Sequence, residues 1–446
     1  MEELAGWPFA RLTFNASGVA DTAQQGVLTS ALSASPNTPT DLLVISHGWN
    51  NDTAFATRLY RDLLGNMQSL KGGAYNDAFL NREVLVTGVF WPSIKWADDE
   101  LIPRIGDRSM AASLGGRPGT TKDEVRELID QLADLVSADS SSVAAAKTAV
   151  SDLQNGPEAM NAFVQAIDAI VQNAPDTASP QGSASPFRGT GDIVARLSGP
   201  FRLSQPVHTD AGGIAPIGAV RRSEADLAAA GFTEAFGGLL TGARRLLNYT
   251  TYFVMKERAG TVGTSLGSVL ASVRQTNPSL RIHLVGHSFG ARLVTASVRA
   301  QSFEPSSLSL LQGAFSHSGF SANVPGGGTG YFRNVIEEKR VNGPIVVTHT
   351  KNDRAVGIAY AIASRVSGVN AAQFGDASDQ YGGIGRNGAV NMREGEALFL
   401  EMQGENHDYD GFHSHQITNL RADDHVSDHG DVVNPAIANV VLSAMQ

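Results

Sequence analysis

The chain has 446 residues, with 34 Lys and Arg against 44 Asp and Glu, a formal net charge of −10, and no cysteine. That balance, with no basic cluster, argues against a nucleic-acid partner or an anionic-membrane surface. The missing cysteine removes disulfides, thiolate catalysis and cysteine metal sites. The start, MEELAGWPFARLTF, carries two early acids and no apolar run of the kind a signal peptide needs, so a cytoplasmic location is the expectation.

In chain order, LLVIS at 42–46 predicts a buried strand that runs into His47-Gly48-Trp49-Asn50 and a helix from about Asp52. VLVTGVF at 84–90 predicts a second strand. Between 97 and 232 the pattern changes to helical Ala/Asp-rich segments. There Thr121 and Glu124 form a capping box ahead of VRELIDQLADLV, and a Pro/Gly/Ser-rich run follows over 174–220. No strand is evident in this stretch. It reads as an insertion into one sheet domain built from 1–96 and 233–446. The most apolar window, 227–243, holds Glu234 and several glycines, which predicts a packed helix and no membrane span. Further strands are expected over 281–285, 310–316, 345–350 and 398–402, with helices over 289–299 and 434–445. The alternation predicts an α/β fold with a mostly parallel central sheet and helices on both faces.

The chemistry centres on Gly286-His287-Ser288-Phe289-Gly290, a G-x-S-x-G pattern set between the strand IHLV and the helix FGARLVTASVR. In that setting the glycines allow a sharp strand-to-helix turn and lift the serine clear of the backbone. A nucleophilic serine of this kind needs an acid, a histidine and an oxyanion hole, with Ser, acid and His following one another along the chain. Asp353 lies in the polar turn after the strand at 345–350, where it also suits a helix N-cap. His429, in Asp-His-Gly-Asp, is preferred over His425 as the base because its loop follows the last strand and a glycine gives it freedom. The backbone N–H groups of Phe289 and Trp49 are the expected oxyanion donors, with Gly48 permitting the turn and His47 bracing the loop. A plain Gly-Trp turn is the other reading of that loop.

Two patterns are set aside. GIGRNG (Gly383, Gly385, Gly388) fits a dinucleotide fingerprint but follows a polar stretch where a strand is required, so it reads as a loop. His407, Asp408, Asp410, His413 and His415 could gather a metal but lack a helical ligand spacing, so neither metal nor cofactor is expected.

HGWN, GHSFG, the Asp353 turn and the final H-G-D together resemble the α/β-hydrolase superfamily of serine hydrolases, over about residues 40–95 and 245–446. GHSFGARLV, THTKNDRAVG and QYGGIGRNGA look like bacterial hydrolases of uncharacterised substrate, some of them labelled serine peptidases. The resemblance implies an α/β-hydrolase fold in which the 97–232 insertion serves as a cap. The expected activity is hydrolysis of a small-molecule carboxylic ester through an acyl-enzyme on Ser288, as in carboxylesterases and lipases. A serine peptidase or amidase, and a catalytically silent binding module on the same fold, remain alternatives.

Overall fold

The structure is a computed structural model and describes residues 1–33, 38–49, 51–93, 120–172, 193–198, 224–325, 327–357, 382–405, 407–409 and 412–446; within 224–325, side chains are described from residue 238. Among these residues nine strands form one sheet: β1 Glu2–Leu4, β2 Trp7–Thr13, β3 Asp41–Ser46, β4 Val84–Phe90, β5 Arg281–His287, β6 Ser307–Leu311, β7 Ile345–His349, β8 Ala397–Glu401 and β9 Ile417–Arg421. Their order is β1-β2-β4-β3-β5-β6-β7-β9-β8. Every neighbouring pair is parallel except β1 with β2, so the chain is α/β with a mostly parallel sheet. β3 and β4 are buried at every residue, which is why they read as continuous apolar runs with no alternation.

Helices α1 (Thr22–Leu32), α2 (Thr53–Lys71) and α3 (Asn76–Phe79) lie among the first four strands in the chain. One buried cluster joins Tyr60, Leu63, Leu64 and Met67 of α2 to Ile437, Val440 and Val441 of the closing helix Pro435–Ala444, and to Leu43, Ile45, Val86 and Val285 of the sheet. Leu42, Val44, Ile282 and Leu284 alternate with those strand residues, are equally buried and fall outside that cluster, so the opposite face is covered as well.

The chain divides into two compact units: Met1–Asp107 with Phe253–Tyr360 and Gly375–Gln446, and Arg108–Tyr252 with Ala361–Phe374. The first holds the sheet. In the second, the described elements are helical: α4 (Lys122–Val136), α5 (Ser140–Asp152), α6 (Pro157–Gln172), α7 (Ile193–Ser198) and the start of α8 (Glu224–Thr276). The Thr121 hydroxyl and the Glu124 carboxylate close the capping box that opens α4. The window 227–243 lies within α8, and no helix among the described residues is long and apolar enough to cross a membrane. Apart from α7, the run 174–220 lies outside the described residues.

Two expectations shift. The strand placed at 310–316 is instead Ser307–Leu311, because Gln312 adopts a left-handed φ of 44° and turns the remaining apolar residues into a loop. β8 starts one residue before its expected span. β1, β2, α1 and β9 had no counterpart in the sequence reading.

At the amino ends of the central strands, the fully buried Asp41 of β3 is held by Arg281 through two 2.8 Å hydrogen bonds, by His283 Nε2 at 3.0 Å, by the Thr40 hydroxyl at 2.6 Å, and by Arg82. Burial alone would raise this carboxyl's pKa. The donors, Arg281 foremost, outweigh burial and hold it far below the carboxylate range. Removing one partner of a buried charge network costs about 3 kcal/mol. Asp41→Asn should therefore lower the denaturant midpoint by that equivalent at pH 7 with an unchanged slope. Because the folded pKa is depressed, the stabilisation is present above the unfolded carboxyl's pKa of about 3.9 and is lost as pH falls toward the folded value. The gap between wild type and variant should close on acidification, and a gap independent of pH would exclude the charge as its cause.

Candidate active site

Strand order reverses between β3 and β5: β3 is followed by β4 on one side, and β5 by β6 and β7 on the other. In open parallel sheets the crevice at the carboxyl ends of two such strands is where ligands collect. β3 ends there in Ser46-His47-Gly48-Trp49, and β5 in His287-Ser288.

Ser288 sits between β5 and helix α9 (Phe289–Ala300) with φ 58° and ψ −122°, a region that costs a non-glycine residue about 1–3 kcal/mol. Its N–H donates to Leu311 O at 3.1 Å, and its carbonyl accepts from Ala291 N–H at 3.1 Å and Ala314 N–H at 3.0 Å, which fixes the turn from three sides. The glycines explain themselves by close approach. A Cβ on Gly286 would collide with the Gly290 carbonyl, one on Gly290 with the Ser46 carbonyl, and one on Gly48 would lie 2.5 Å from Ser288 Cβ. The Ser288 hydroxyl makes no capping bond to α9 and is turned elsewhere.

It meets His429 Nε2 at 2.9 Å, while His429 Nδ1 meets Asp353 Oδ2 at 2.8 Å. An ionised carboxylate only accepts, so Nδ1 carries the proton and Nε2 is left to accept from the serine hydroxyl. All three side chains are buried. Asp353 also accepts Val356 N–H on Oδ1 at 2.9 Å, so the helix-cap role and the contact with histidine coexist on its two oxygens. Burial pushes the His429 pKa down, but the Asp353 carboxylate, with help from Asp428, outweighs it and the net shift is upward.

The turn carrying Asp353 is tied to the loop carrying His429. Asn352 Nδ2 donates to Asp423 O and Val426 O at 2.9 Å each, and Asp423 Oδ1 accepts from the Thr350 hydroxyl and Lys351 N–H at 2.9 Å each. Arg386 closes the other side on the carbonyls of Lys351 and Asp353. That arginine belongs to GIGRNG, which forms one turn of helix, Ile384–Asn387, where a loop was expected. A Cβ on Gly385 would lie 2.5 Å from Gln312 C, so this glycine serves packing.

His287 Nε2 lies 2.8 Å from the His429 carbonyl, to which it must donate; its Nδ1 is buried without a hydrogen-bond partner among the described residues, and burial drives its pKa down to about 3. His47 donates Nδ1–H to Gly48 O at 2.9 Å, stacks on Trp91, and is pushed by burial to about 4. Asn51 Nδ2 donates to the same Gly48 oxygen at 3.2 Å. A trans peptide sets its C=O and N–H on opposite sides, so these two donors orient the Trp49 N–H away from themselves. The Trp49 ring lies 6.0 Å from that of Phe289 across the crevice. Behind the loop a cleft of about 410 Å³ is walled by Phe14, His47, Asn51, Phe90, Trp91 and Ser93.

The structure thus brings Ser288, Asp353, His429, His287, His47, Gly48, Gly286 and Gly290 together, with Trp49 and Phe289 on the two flanking turns. His425 is half-buried outside the chain of hydrogen bonds. His407 and His413 are exposed, His415 Nδ1 lies 2.8 Å from Val341 O, and Asp410 lies outside the described residues, among which no group of three or more His, Asp or Glu is placed to hold a metal. Asn51, Asn352, Asp423 and Arg386 went unnoticed in the sequence, where no spacing marks them. No family model matches the chain, and neither a curated protein nor a solved structure does.

Histidine resonances should report this electrostatic pattern directly. His429 should titrate above the ordinary value of about 6.5, whereas His47 and His287 should remain neutral down to pH 5. Asp353→Asn removes the stabilising charge and leaves the burial, so His429 should then titrate below 6.5; an unchanged value would remove Asp353 from its surroundings. Ser288→Gly relieves the positive φ and should raise the unfolding free energy by about 1 kcal/mol, and a loss of stability would mean the turn is not strained.

Proposed function

We propose that the chain is a serine hydrolase of the α/β-hydrolase type that cleaves carboxylic esters. The observation that carries this reading is the unbroken path from Ser288 Oγ through His429 to Asp353, at 2.9 and 2.8 Å, from a turn at φ 58°. Further support comes from chain order, since the serine follows β5, the acid β7 and the histidine β9, and from the seating of the loop after β3 against the nucleophile.

In this reading His429 Nε2 takes the Ser288 proton as Oγ attacks the ester carbonyl, and Asp353 stabilises the imidazolium that forms. The carbonyl oxygen, now negative, receives the N–H groups of Phe289 and Trp49; one such donor is worth about 3 kcal/mol of barrier. Collapse expels the alcohol with the proton from His429 and leaves an acyl-enzyme. Water then enters by the same steps, releasing the acid and restoring the serine. His287 holds the His429 backbone and stays neutral, so it adds no like charge when His429 is protonated. The cleft behind the loop offers aromatic walls for an apolar acyl or alcohol group, and an ester needs no more leaving-group assistance than this machinery supplies.

A fluorophosphonate should label wild type on Ser288 and leave Ser288→Ala unlabelled. A panel of p-nitrophenyl esters and peptide amides should show turnover of the esters, with kcat/KM lost at least about 1,000-fold in His429→Ala and largely retained in His425→Ala. EDTA should have no effect. Labelling with amide turnover alone would shift the reading to a peptidase or amidase, and a folded wild type that takes no label would leave a binding module.

A further inference from the structure

β8 is the last strand of the sheet, and its outer side has no strand among the described residues. The other edge is guarded: β1 is three residues long and exposes Glu2 and Glu3. β8 is guarded less: its one charged residue, Glu401, is paired with Arg421, and Ala-Leu-Phe-Leu-Glu contains no lysine and no proline, the usual devices that keep an edge from pairing. Leu398 is 36% exposed, Phe399 57% and Leu400 40%. Successive strand residues point to opposite faces, so exposure of all three means that both faces are open here. Among the described residues the four other large apolar residues this exposed, Met1, Val19, Val27 and Leu80, are scattered through the sequence.

The backbone fixes which residues face outward. Ile417 N–H donates to Glu396 O, and Met402 N–H donates to Arg421 O, each at 2.9 Å. A parallel ladder sends both groups of alternate residues to the same neighbour, so 396, 398, 400 and 402 are spent on β9, and Ala397, Phe399 and Glu401 address the open edge. Glu401 O accepts Gln403 Nε2 from its own chain at 3.3 Å; the outward groups of Ala397 and Phe399 have no partner among the described residues.

We infer that β8 pairs antiparallel with β8 of a second copy of this chain, about a twofold axis through Phe399. Only the register centred on Phe399 engages all three outward residues: Phe399 faces the partner's Phe399, and Ala397 faces the partner's Glu401, two hydrogen bonds to each pair. Leu398 then meets the partner's Leu400 on one face and the phenylalanines meet on the other. Within β8 the same register brings no like charges face to face, because each Glu401 lies opposite the partner's Ala397. Charge and apolar pattern therefore select one occupant, a self-complementary strand. The inference is independent of any activity at Ser288.

Sedimentation equilibrium of the full chain should give twice the chain mass, and Phe399→Lys should weaken association about 100-fold with an unchanged circular dichroism spectrum. Because the chain has no cysteine, a single introduced thiol reads the register. A hydrogen-bonded antiparallel pair sets Cα atoms about 5.5 Å apart, within disulfide range, so oxidised Phe399→Cys should yield a covalent dimer and Leu398→Cys should not. A wild type that stays monomeric at every concentration overturns the inference, as does a dimer indifferent to Phe399→Lys or faster cross-linking through Leu398→Cys. Binding to phospholipid vesicles by a protein that is monomeric in solution would overturn it in favour of a lipid surface.

Discussion

The site rests on the pressing of the loop after β3 against the turn after β5. Adjacency of those strands is a matter of sheet order; contact between their carboxyl ends is a matter of three missing side chains. Gly48 lies against Ser288, Gly290 against the Ser46 carbonyl, and Gly286 against the first turn of α9. With these contacts made, Ser288 cannot relax from its positive φ, and its hydroxyl is aimed away from the helix cap and toward His429. The rest of the machinery is attached to this junction: Trp91 and Tyr60 hold the backbone of His47, and the Gln312 turn lets Leu311 and Ala314 grip the serine backbone.

Charge is rationed across the same small volume. Three buried histidines lie close together, and burial acts on all of them in the same direction, toward the neutral form. Only His429 has a carboxylate on its far nitrogen, and only its pKa is raised. The other two are confined to donating, His47 to Gly48 and His287 to His429, and at neutral pH bring no competing positive charge. One ring is thus free to accept a proton because its neighbours are held from doing so.

The constellation of Ser288, His429 and Asp353 was legible because its parts impose local demands: glycines around a serine, an acid in the turn after a strand, a histidine beside a glycine in a final loop. The buried central strands were legible for the related reason that burial on both faces leaves an uninterrupted apolar run. β9 was not, since Thr418 and Asn419 lie at its centre, and Asn419 is accommodated only through tertiary hydrogen bonds to the Ala389 backbone. β2 carries Pro8 and Arg11, and β1 is too short to show a period. Arg386 was hidden for a different reason. Its value lies in two carbonyls that reach it only after the chain has folded back, and its glycine-rich surroundings suggested a different chemistry.

The glycines at the junction have a consequence for how such a sequence drifts. A substitution at position 48, 286 or 290 meets main-chain atoms or Ser288 itself, which cannot step aside, whereas the wall of the neighbouring cleft is built from side chains such as Phe14, Phe90 and Ser93. Exchanging those reshapes the hollow without moving the serine. Inheritance can therefore revise the shape of the cleft while the setting of Ser288 is passed on intact, and the two histories become separable within one sheet.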